Sequence, residues 1–180
     1  MMSEPASFFL HAHITRDNLQ AFLRSPAKNM EDYSDWLDWF SAEQRIYGDP
    51  AKMLRDLAGC NAGTSKDNIC AEHITFDAQT QIVTMDHIFL SESFDDFLPL
   101  VVCLRGMEKF ITPATQNNFL LIYSYWWGAE KDVSIGIEFD DGKSKIIANP
   151  QVENLTIANA FFDEHGDALA EELYNKQGYI

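Results

Sequence analysis

His13-Ile14-Thr15 and His73-Ile74-Thr75 repeat one tripeptide sixty positions apart. Each couples a side chain that can move a proton near neutral pH with a hydroxyl that can hold an oxyanion. His11 and His13 point to the same side of one strand, a spacing that can serve a metal. Cys60 and the run Cys70-Ala-Glu-His73 offer further donors, but zinc ligands that come in pairs ordinarily show tighter, repeated spacing. No metal and no cofactor is expected. Gly59-Cys-Asn-Ala-Gly63-Thr-Ser-Lys66 has its glycines too close together, its lysine after the hydroxyls, and a helix rather than a strand before it. That excludes a phosphate-binding loop. No Gly-x-Ser-x-Gly occurs, and Cys103 lies inside an apolar helical run, so no nucleophile signature is present.

The paired tripeptides resemble the His-x-Thr motifs of the two-histidine phosphoesterases. The resemblance implies that His13 and His73 do acid–base work on a phosphodiester and that Thr15 and Thr75 hold a phosphate oxygen. The family's fourth position is apolar, which Phe76 matches and Arg16 does not. The first motif also runs straight into a helix where the family continues a strand. A net charge of −15 opposes a polyanionic substrate.

The carboxylates suggest a different chemistry. Glu31, Asp32, Asp35, Asp38 and Glu43 fall between Asn29 and Gln44 with no basic residue among them. If Glu31 to about Tyr47 is one helix, Tyr33, Trp36, Leu37 and Phe40 form its buried stripe. Trp39 then falls outside the stripe, with Asp32, Asp35 and Glu43 around it. An exposed tryptophan ringed by acids suits an anchor for a basic partner. A second acidic group, Asp163, Glu164, Asp167, Glu171 and Glu172, reads as a solvated helix face.

The elements that must position these groups are legible from periodicity. Ser7–Ile14 reads as a strand, with Phe8, Leu10, Ala12 and Ile14 on one face and Phe9, His11 and His13 on the other. A helix over 16–24 follows, with Thr15 as its cap and Pro26 beyond its end. Asp49-Pro50 opens a helix through Leu57, and a loop spans Gly59–Asp67. Residues 69–76 and 81–87 read as a hairpin, and a helix starts at Phe94 behind Ser93 and stops before Pro113. Phe119–Trp127 is apolar throughout, the mark of a strand covered on both faces. Val133–Phe139 alternates, Asp141-Gly142 signals a two-residue turn, and Lys143–Ala148 returns beside it. The tail, 154–175, is helical and predicted to break or bend at Gly166. The fold class is α+β, one domain over 1–180, with a largely antiparallel sheet and helices packed against it.

With 180 residues, of which 46% are hydrophobic, the chain can bury a sizeable core. The charge argues against nucleic acid or an anionic membrane as partner and favours a basic protein. Three cysteines, the lack of a signal-peptide pattern and the short apolar runs point to the cytoplasm. In size, acidity and lack of a catalytic set the chain resembles the bacterial immunity proteins. That resemblance implies a stoichiometric inhibitor whose acidic surface covers a basic toxin domain, such as a nuclease.

Overall fold

The computed structural model describes residues 5–43, 49–69, 73–127 and 131–177. Strand β1 (Ala6–His13) runs into helix α1 (Arg16–Arg24), where Thr15 Oγ1 accepts the Asn18 N–H at 3.1 Å and caps the first turn. A single 3-10 turn (Met30–Asp32) precedes α2 (Trp36–Glu43), then α3 (Pro50–Asp56) and the short α4 (Ser65–Asn68). Strands β2 (His73–Asp77) and β3 (Ile82–Ser91) form a hairpin. Helix α5 (Phe94–Arg105) leads through a second 3-10 turn to β4 (Phe119–Tyr125), β5 (Asp132–Asp140) and β6 (Lys143–Ile147). The long α6 (Val152–Gln177) follows.

The six strands form one antiparallel sheet in the order β2-β3-β1-β4-β5-β6. Local chemistry makes the hairpins. Asp141 and Gly142 take φ of 47° and 68°, the left-handed pair that a two-residue turn between right-twisted strands requires. The first strand in sequence lies in the middle of the sheet, between β3 and β4, so Phe8, Phe9 and Leu10 are all buried.

Each face of the sheet builds its own core. Phe8, Leu10, Val83, Met85, Leu120, Ile122, Ile137 and Phe139 pack against the helices of the first two thirds of the chain. On the opposite face Phe9, Phe119, Leu121, Tyr123 and Trp126 pack against Ala158, Phe162 and Ala170 of α6. Residues 119–123 of β4 serve both cores and are apolar or aromatic at every position, which is why this stretch does not alternate. Among the described residues no helix is long and apolar enough to cross a membrane.

The structure corrects three expectations. The segment after Glu31 is not one helix: Tyr33 is extended at φ −131°, ψ 128°, and α2 begins only at Trp36. The loop over 59–67 ends in α4, whose box pairs Thr64 with Asp67. Helix α6 continues through Gly166 without a break. This glycine serves close packing: a Cβ there would lie 2.1 Å from Trp126 Cζ3. Cys70, named above as a metal donor, lies outside the described residues.

Candidate partner-binding site

Helix α5 is apolar enough to be buried nearly all round, and it carries Arg105 inward to 1% exposure. A buried guanidinium needs a full set of acceptors. Asp35 supplies two, with Nη1 and Nη2 donating to its oxygens at 2.8 and 2.9 Å. Ser144 supplies two more, as Nε donates to its hydroxyl at 2.9 Å and Nη2 to its carbonyl at 3.0 Å. The guanidinium also lies 3.9 Å from the centre of the Tyr33 ring.

The same group of residues closes a sheet edge. Strand β6 has no neighbour beyond it, yet its Ser144 N–H donates to Glu108 Oε2 at 2.6 Å and its Ile146 N–H to Asp35 Oδ2 at 3.0 Å. With the Ser144 carbonyl held by Arg105, three side chains occupy the place of a further strand. Burial alone would push the Asp35 carboxyl up. The hydrogen bonds from Arg105 and from the Ile146 amide outweigh it and hold this carboxyl below its ordinary value.

Beside this network a groove of about 330 Å³ runs between α2 and β6, walled by Asp35, Asp38, Trp39, Ile146, Ile147 and Pro150. Trp39 is half-buried: its ring meets Trp36 at 5.8 Å, Phe40 at 5.0 Å and Phe94 at 6.0 Å. Leu37, expected inside, is 45% exposed. Both departures follow from the late start of α2. With the helix opening at Trp36, its inward arc runs through Trp36 and Phe40, Trp39 falls on the flank of that arc, and Leu37 turns outward.

The predicted carboxylates separate accordingly. Asp35 is committed to Arg105 and β6, while Asp38 is exposed on the groove wall. Asp32 belongs to the preceding 3-10 turn, where its Oδ2 accepts the Asn29 N–H at 2.8 Å, and it does not line the groove. Glu43 is the last residue of α2, and its side chain lies outside the described residues. The acidic group on α6 is exposed and pairs with lysines, Asp163 with Lys131 at 2.7 Å and Glu172 with Lys176 at 2.8 Å.

The paired tripeptides do not converge. Strand β3 separates β1 from β2, and Asp86 of β3 stands between Phe9 and His73, whereas His13 is level with Ile82 and Asp77. Two strand spacings across and four residues along put His13 and His73 roughly 17 Å apart. One phosphate cannot bridge that gap, so the arrangement implied by the phosphoesterase resemblance is not formed. Thr15 caps α1, and His73 sits between Asp86, 3.1 Å from Nδ1, and Glu172, 3.6 Å from Nε2.

Arg105 and Glu108 were not singled out by the sequence, and Tyr33 only as part of a buried stripe. The available signal was a lone arginine closing a twelve-residue helix whose other late positions are apolar. Comparison with protein families, with curated proteins and with solved structures gave no match.

Proposed function

We propose that this is an acidic binding protein that neutralises a basic protein, of the kind a toxin nuclease domain presents, by forming a one-to-one complex in the cytoplasm. The observation that carries the reading is the groove beside β6, where the Trp39 ring and the exposed carboxylate of Asp38, without a partner among the described residues, share one wall. An aromatic face next to an exposed acid suits an arginine or lysine side chain, which stacks on the ring and points its charge at the acid. The net charge of −15 would speed the encounter with such a surface.

A growth-rescue assay tests the reading. The reading frame directly upstream of the gene is expressed alone and together with this chain, and the purified pair is examined by size exclusion and calorimetry. Growth arrest by the neighbour, relief by this protein and a one-to-one complex are the expected results. A neighbour that is harmless, or that stays toxic and unbound, sinks the proposal.

A further inference from the structure

Strand β1 ends in two imidazoles, each with its Nδ1 held by the loop at Asn117 and Asn118. Alternation along the strand puts His11 and His13 on the α6 side of the sheet, with ring centroids 5.7 Å apart and planes at 80°. His11 Nδ1 lies 2.8 Å from the main-chain oxygen of Asn117. A carbonyl oxygen only accepts, so Nδ1 carries the proton. His13 Nδ1 lies 3.2 Å from Asn118 Oδ1. That amide has only one sensible orientation. Its Nδ2 donates to the Thr115 carbonyl at 3.1 Å and the Thr115 hydroxyl at 3.0 Å, and its Oδ1 takes the His13 N–H at 2.8 Å. The Thr115 hydroxyl gives its own hydrogen to the Thr112 carbonyl at 2.7 Å, which leaves it an acceptor toward Asn118. His13 therefore also carries its proton on Nδ1.

In the tautomer so fixed each ring carries no hydrogen on Nε2, and among the described residues no partner of either Nε2 is seen. The loop that fixes them adopts an uncommon backbone, with Asn117 at φ 58°, a region asparagine enters more readily than most residues. Burial pulls the pKa of His11 down. The Asn117 hydrogen bond opposes this, and the neighbouring His13 lowers it further. A ring N–H held by a carbonyl oxygen is the characteristic support of a metal-bound histidine.

From these two bare nitrogens we infer a metal site: His11 and His13 chelate one late first-row divalent ion through Nε2, with water in the remaining positions. Among the described residues no group of three or more histidine, cysteine, aspartate or glutamate side chains is placed to hold a metal ion, so the two imidazoles are the whole protein donor set. Two imidazoles and water suit copper(II) best, since it stands at the top of the affinity order for nitrogen donors, with zinc(II) below it.

Calorimetric titration of copper(II), and separately zinc(II), into the whole chain tests the site. Wild type should bind one copper ion at this site, and either His13→Ala or His11→Asn should weaken it at least tenfold. Asn118→Ala, which releases the His13 tautomer, should weaken it about 10- to 100-fold. Thermal unfolding of each variant guards against loss of fold. If His11→Asn does not fold, His13→Ala, at the half-exposed strand end, decides alone. Nitrogen NMR of the rings gives a second readout, with both expected as Nδ1–H before metal is added. Identical isotherms for wild type and His13→Ala, or an Nε2–H tautomer at either ring, would overturn the inference.

Discussion

Asp35 grips Arg105 with both carboxylate oxygens, at 2.8 and 2.9 Å, and with one of those oxygens also takes the Ile146 amide at 3.0 Å. One carboxylate thus joins the start of α2, the end of α5 and the edge of the sheet. Removing Arg105 would strand a half-buried acid together with the Ser144 carbonyl. Arg105→Ala should cost about 3–5 kcal/mol in denaturant unfolding, as breaking one side of a buried pair does. Arg105→Lys should recover little, because an ammonium cannot reproduce the fork. A loss within about 0.5 kcal/mol, the range of surface substitutions, would show the pair to be peripheral.

The same pair sets an acid limit. Asp35 has its pKa lowered in the folded chain, so its contribution is full above the unfolded value and is lost as pH falls through the folded one. Below about pH 4 the stability of wild type should fall more steeply than that of Asp35→Asn, which starts lower. Amide exchange at Ile146 should rise over the same range as its acceptor protonates. Parallel pH profiles for the two proteins would remove Asp35 from the acid transition.

Sequence periodicity made the sheet legible because hairpin chemistry is local. Asp141-Gly142 needs only its own φ angles to define a turn, and the apolar run from Phe119 to Tyr123 records two cores at once. Alternation also placed His11 and His13 correctly on one face. The order of the sheet was not legible, since nothing local to β1 says that it inserts between β3 and β4. The phase of α2, with Leu37 outward and Trp39 on its flank, was not legible for a related reason. It depends on a break at Tyr33–Asp35 that a distant arginine stabilises, and no window of sequence around Trp39 contains Arg105.

Gly166 offers a test in which propensity and packing disagree in sign. On helix propensity alone, Gly166→Ala should stabilise α6 by about 1 kcal/mol. The added methyl would meet Trp126 at 2.1 Å from Cζ3 and 2.5 Å from Cη2, in a ring that is itself buried. Packing should win, with a net loss of about 1–3 kcal/mol and a changed Trp126 fluorescence. A more stable variant would mean that α6 can move off the sheet at little cost.

Substitutions along α2 test the groove and separate it from the rest of the helix. At 100° per residue, Asp35, Asp38, Trp39 and Ala42 lie on the groove side, Trp36 and Phe40 point inward, and Leu37 projects from the far flank. Trp39→Ala alone would be ambiguous, because the ring touches Trp36, Phe40 and Phe94 and its loss should cost stability as well as binding. Trp39→Phe keeps an aromatic face against the core while shrinking the wall of the groove. Asp38→Asn removes a charge from an exposed position. Against the basic partner, Trp39→Phe should speed dissociation, and Asp38→Asn should slow association and flatten its dependence on salt. Leu37→Ala, equally exposed but facing away, should leave both rates and the unfolding midpoint nearly unchanged. Stopped-flow binding at two ionic strengths, beside thermal unfolding of the three variants, reads all of this. If Leu37→Ala weakens the complex and Asp38→Asn does not, the contact lies on the opposite flank of α2 and the groove is not where the partner binds.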